Sequence, residues 1–110
     1  MTASLYKVVF FVPESHKESV KQAIFAAGAG RYDGYDSCSW ETAGYGQFRP
    51  LANSQPFIGR QGQLERVQEY RIETVCHAND VKAVIAALLL SHPYETPAYD
   101  IMPVLTLDDF

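Results

Sequence analysis

Residues Ser91–Asp100, SHPYETPAYD, bring a histidine, a glutamate, two tyrosines and two prolines into ten positions. His92 and Glu95 offer an imidazole and a carboxylate three residues apart. That pair of types could hold a divalent cation or move a proton on a substrate. The same residues also read as the end of a helix. Proline beyond a helix terminus is ordinary punctuation, and a last-turn histidine complements the helix dipole when protonated. Stopping a helix requires neither Tyr94 nor Glu95. A ligand-binding or interface role for His92, Tyr94 and Glu95 therefore stands beside the structural one.

Cys38, Cys76 and His77 form a second constellation. If Tyr35–Trp40 and Tyr70–Cys76 pair as an antiparallel hairpin, the two thiols approach one another, and three soft ligands suit zinc or copper(I). Both cysteines fall on the apolar parity of their segments, however, and a free cysteine is among the most commonly buried residues. Core filling accounts for them, and no fourth ligand is identifiable. The run Gly44–Pro50, GYGQFRP, has the glycines of a phosphate-cradling loop but not its context. Such a loop needs a helix N-terminus after it, whereas Phe48 and Pro50 follow here. A tight turn or bulge explains the glycines. Arg49 remains a candidate for neutralising an anion at a subunit junction. Glu65, Glu69, Arg71 and Glu73 read as a solvated or inter-subunit sheet face, with Glu69 a candidate cleft residue. No nucleophile–base pair emerges from spacing.

The elements that would position these residues follow from periodicity. Leu5–Val12 is a continuous β-branched and aromatic run, a strand apolar on both faces, ended by Pro13. Ser15 and Glu18 have capping-box spacing, and Val20, Ala23, Ile24 and Ala27 make one apolar helix stripe stopped by Gly28 and Gly30. Tyr35–Ala43 alternates as a strand, with Cys38 and Trp40 on one face. Residues 44–64 read as a loop-rich hairpin insertion. Arg66–Cys76 alternates again, setting Tyr70, Ile72, Thr74 and Cys76 against Glu69, Arg71 and Glu73. Asn79 is placed to cap a second helix with Val81, Val84, Ile85, Leu88 and Leu89 inside. Pro93 closes it, and Ala98–Leu105 is the last strand. The order is β-α-β, hairpin, β-α-β, an approximate internal duplication. It predicts an α+β, ferredoxin-like βαββαβ sandwich with a four-stranded antiparallel sheet and two helices on one face.

Composition narrows the function. A chain of 110 residues suits one domain, residues 1–110, and its 47% hydrophobic and 20% charged residues describe a soluble globule. A net charge of −4 without a basic stripe argues against nucleic acid. The longest apolar run, VIAALLL, is too short for a bilayer, the N-terminus lacks a signal peptide, and two cysteines suit reduced thiols in the cytoplasm. If the helices cover one sheet face only, Leu5, Val9 and Phe11 lie on the other, and a bare patch there implies a covering subunit or partner.

GYGQFRP, PFIG (Pro56–Gly59), YRIETV (Tyr70–Val75) and HPYETPAYDIMPV (His92–Val104), in this order, resemble the inserted domain of bacterial Nif-three-like, dimetal-binding proteins. The resemblance runs from the first strand to Val104. It implies a fold like that of the trimeric CutA and PII-like proteins. The family's two-metal centre belongs to flanking lobes that have no counterpart in these residues, and His16, His77 and His92 show neither HxxxH nor HxH spacing. The hydrolase centre is therefore not carried over. The favoured expectation is a non-enzymatic binding or regulatory module, a homo-oligomer and by this resemblance a trimer. Its small ligand or divalent metal ion would sit at subunit clefts near Arg49, Glu69, His92, Tyr94 and Glu95. One alternative is a metal-dependent, hydrolase-like enzyme using His92, Glu95 and His77. Another is an interaction domain whose open sheet face meets a different protein.

Overall fold

In a computed structural model of the protein the described residues are 3–110; Met1 and Thr2, with which the N-terminal reading begins, lie outside them. Six main elements follow one another: β1 (Leu5–Pro13), α1 (Lys17–Ala26), β2 (Ser39–Phe48), β3 (Glu65–His77), α2 (Val81–Ser91) and β4 (Tyr99–Val104). The strands form one antiparallel sheet in the order β2-β3-β1-β4. This is the ferredoxin-like arrangement that the element order predicts.

Alternation in the strands and the helical stripes meet in one core. Val8, Phe10 and Val12 of β1 and Ile72 of β3 project towards Ile24 of α1 and Leu88 of α2, all fully buried. Lys17 and Lys21 of α1 reach Glu41 of β2 at 2.8 and 3.2 Å along the rim of this layer. The turn after α1 needs glycine. Gly30 has φ +80°, and a Cβ there would lie 2.8 Å from the backbone nitrogen of Cys38.

Several local expectations are corrected. Neither Ser15 nor Asn79 caps a helix. Short 3-10 turns, Glu14–His16 and Ala78–Asp80, intervene, so the first residues of α1 and α2 lie beyond both candidates. The Ser15 hydroxyl instead meets His16 Nδ1 at 2.8 Å. Residues 44–48 are not a turn: β2 starts later than expected, at Ser39, and runs straight through both glycines to Phe48. Between β2 and β3, irregular chain is thereby confined to residues 49–64. The register pairs Trp40 with Glu73 on the helix-free face. Trp40 is consequently 69% exposed. Leu89 is likewise exposed on α2.

The open sheet face is not bare at its centre. Val9 is fully buried within the chain, and Phe11 is half-buried. Val9 lies between Glu73 and Asp100 in register, while Arg71, paired with Glu73 at 3.7 Å, places its guanidinium 5.7 Å from the Phe11 ring. Long charged side chains roof the apolar strand with their stems. Unsatisfied surface lies instead at the sheet edge. β2 is a ten-residue edge strand carrying exposed Trp40 and Tyr45. Among the described residues, no helix is long and apolar enough to cross a membrane.

Phe10 and Leu90 separate core from surface. Phe10→Ala should cost about 3–5 kcal/mol by urea unfolding, through lost burial and the cavity left behind. Leu90→Ala, at a side chain 90% exposed, should stay within about 0.5 kcal/mol of the parent.

Candidate functional site

β2 and the start of β3 extend past the end of β1, because Pro13 pairs with Glu69 while β3 begins at Glu65. The projecting hairpin, the loop 49–64 and the segment after α2 enclose a groove of about 570 Å³ on the helix-free side. Phe11 and Phe48 come from the sheet, Pro50 and Phe57 from the loop, and Tyr94 from the segment after α2. The rings of Phe48 and Phe57 lie 6.4 and 6.3 Å from that of Tyr94, and His16 meets Phe57 edge-on at 5.4 Å. The lining is mainly apolar, with few polar groups converging on it, as in small-molecule sites.

The loop wall is held in place from within and from outside. Gly62 donates its N–H to the Pro50 carbonyl at 2.7 Å, and the Gln61 side-chain amide donates to the Ser54 carbonyl at 2.8 Å. Across the groove, the backbone N–H of Gln55 donates to Glu95 Oε2 at 3.0 Å.

Glu69 forms the polar floor. Its register partner is Gly44, and Gly46, two residues along the same face, leaves the space into which the carboxylate folds. A Cβ on Gly46 would collide with Glu69 Oε1. The residue is only 9% exposed, and its Oε2 accepts a 2.7 Å hydrogen bond from the Tyr94 hydroxyl. Burial, reinforced by that hydrogen bond to a carboxylate, raises the Tyr94 phenol well above its ordinary range, so the hydroxyl remains a donor.

His92 lies behind this floor rather than in it. Its ring is 6% exposed, with Nε2 2.7 Å from the Phe11 carbonyl and Nδ1 3.1 Å from the Tyr94 backbone nitrogen. A carbonyl only accepts and a backbone N–H only donates. His92 is therefore the neutral tautomer with hydrogen on Nε2, and both nitrogens are occupied. Burial lowers its pKa below the ordinary 6.5, with the charge of His16 acting the same way, while the Phe11 carbonyl and Glu69 oppose the shift. The imidazole pins the chain after α2 onto the end of β1.

Four sequence candidates thus surround one groove: Glu69 and Tyr94 at the floor, Arg49 and Glu95 at exposed positions of the wall. Glu95 already serves the loop. The arrangement lends the metal-ligand reading no support. His92 has no free nitrogen, and no group of three or more His, Cys, Asp or Glu among the described residues could hold a metal ion. Cys76 sits in the helix-side core, where burial pushes its thiol up to about 11. Cys38 precedes β2, tied by its N–H to the Gly30 carbonyl at 2.9 Å, and His77 is exposed at the end of β3. Sequence reasoning missed Gly46, Phe48 and Phe57. The available signal was a Gly-x-Gly-x-Phe strand opposite a glutamate, with a Pro-Phe pair in the following loop.

No family model matches the chain. It is 47% identical over 103 residues to a GTP cyclohydrolase 1 type 2 homolog of Halalkalibacterium halodurans, covering 94% of this chain and 28% of that protein. The chain thus spans little more than a quarter of the length of the curated relatives it matches. Among solved structures, a Bacillus cereus protein related to NIF3 superposes with a TM-score of 0.81 at 40% identity, over 96% of this chain and 27% of that one. CutA from Synechococcus elongatus gives a TM-score of 0.67 at 21% identity, over 94% of this chain and 80% of that one. At that identity the likeness concerns the fold alone.

The buried imidazole makes stability depend on pH. Above 6.5 both folded and unfolded states hold His92 neutral. Below it the unfolded chain takes up a proton that the folded chain refuses, so stability falls between 6.5 and the lower folded value. Urea unfolding of the parent should show this loss. His92→Ala should be about 1–3 kcal/mol less stable at neutral pH, through the unpaired Phe11 carbonyl, and should lose less stability on acidification. An equal acid loss in both proteins would remove His92 as its source.

Proposed function

We propose that this chain, which resembles the CutA/PII-like segment of NIF3-related proteins, is a non-enzymatic, homo-oligomeric binding module that holds a small molecule in the groove over Glu69. The observation that carries this reading is the hydrogen bond from half-buried Tyr94 to buried Glu69, set into an aromatic-walled groove, with Gly46 bare to admit the carboxylate. Polar groups of this kind orient a ligand whose apolar part the walls bury. The alternative of metal-dependent hydrolysis depended on His92, whose nitrogens are both engaged. The curated relatives carry a cyclohydrolase name, but the correspondence reaches little more than a quarter of their length. We extend no catalytic role from them.

Self-association is supported by the β2 edge rather than by the centre of the open face. A long unpaired edge with exposed Trp40 and Tyr45 is a surface that proteins ordinarily cover. We favour a trimer. A ligand cleft completed by a neighbouring subunit, close to Arg49 and Glu95, is part of the same proposal. Two free cysteines, one fully buried, suit a reducing, cytoplasmic setting.

Two measurements test the reading. In a fragment screen followed by backbone amide NMR, bound compounds should shift signals from residues 46–49 and 94–96 together. A screen whose shifts all fall elsewhere would remove the groove as the binding site. Light scattering on the purified chain should give three times the 12.3 kDa chain mass. A monomer at every concentration tried would end the oligomer proposal and leave the groove to be judged by the screen.

A further inference from the structure

Glu69 is a buried carboxylate without a cation. Its Oε2 accepts from Tyr94, its Oε1 fills the space that Gly46 leaves bare on the groove lining, and among the described residues no Lys, Arg or His forms an ion pair with it. Buried charges are ordinarily paired, because removing one from water carries a desolvation cost that a counter-charge offsets. Every ion pair in the described chain joins other partners, and Arg49, which lines the same groove, is exposed and makes none. The surroundings of the lone carboxylate are aromatic: Phe11, Phe48, Phe57 and Tyr94 line the groove with it. Ring faces attract cations and carry the apolar remainder of a ligand.

Building on the groove reading, we propose that its ligand is an organic ammonium ion: a primary amine, protonated at neutral pH, on an apolar chain or ring. The ammonium group donates to Glu69 Oε1 and to the remaining lone pair of the Tyr94 hydroxyl. Its hydrocarbon part lies against the phenyl rings. An anionic ligand is disfavoured, because Glu69 at the floor and Glu95 at the wall outnumber Arg49. A neutral apolar ligand leaves the Glu69 charge uncompensated.

The test uses a pair of probes with one skeleton and different charge, 2-phenylethylamine and 2-phenylethanol, titrated into the full chain by backbone amide NMR. The amine should bind at least about tenfold more tightly than the alcohol, shifting the amides of Gly46 and Tyr94, because the ammonium adds a desolvated cation–π contact and a charge-assisted ion pair that the hydroxyl cannot make. Glu69→Gln keeps the acceptor for Tyr94 and should abolish the difference. Arg49→Gln should tighten amine binding about twofold by removing a like charge. Equal binding of amine and alcohol overturns the ammonium proposal and leaves the groove as a site for neutral molecules. Binding of neither probe, with groove-directed fragments still found, overturns the ammonium proposal alone; if those are missing too, the groove reading falls with it. Amine binding unchanged in a folded Glu69→Gln protein also overturns the proposal. Should that variant not fold, the comparison of amine with alcohol on the parent chain decides.

Discussion

A carboxylate can be drawn beneath a loop only if something makes room for it and something donates to it. At Glu69 these two conditions are met by an absent side chain, that of Gly46, and by the Tyr94 hydroxyl. Tyr94 is in turn placed by His92, which accepts its backbone N–H and donates to the Phe11 carbonyl. One chain of contacts thereby joins β2, β3, the segment after α2 and β1. Each hydrogen bond is worth about 1 kcal/mol net, but losing one partner of a buried pair costs more, because the other is left without water. The local architecture is consequently tighter than its short list of polar contacts suggests.

Much of the fold was legible because its strands and helices announce their periods. The alternation of Tyr70, Ile72, Thr74 and Cys76 and the stripe of Val20 and Ile24 each have a single sensible burial, and the structure uses it. The ends of elements were harder. Ser15 and Asn79 have the chemistry of caps, but short 3-10 turns put both one or more residues outside the helices. The glycines of β2 read as a break because propensity is local. They are strand because of β3 alongside, and Gly46 is required bare by Glu69, twenty-odd positions away. The exposure of Trp40 was not legible for a related reason: the face an alternating strand buries is fixed by register with β3, which no window within β2 reveals.

The site was half legible. Arg49, Glu69, Tyr94 and Glu95 stood out as polar or aromatic residues with no evident structural duty, and they converge on one groove. His92 stood out most and has the most structural position, since histidine chemistry in a sequence looks the same whether its nitrogens are free or occupied. The aromatic walls were invisible for the opposite reason. Phe48 and Phe57 are ordinary hydrophobic residues until the loop folds back over the sheet.

The groove divides into a conservative half and a replaceable one. Glu69 and Gly46 at its floor belong to paired strands, where any change propagates through the register, but one wall is the irregular segment 49–64, joined to the facing wall by the Gln55–Glu95 hydrogen bond. Segments of that kind accept insertions and altered composition without disturbing the scaffold beneath them. The architecture therefore separates what is recognised from how it is held. New specificities could evolve, or be engineered, by rewriting sixteen consecutive residues while the charge at the bottom of the groove stays where it is.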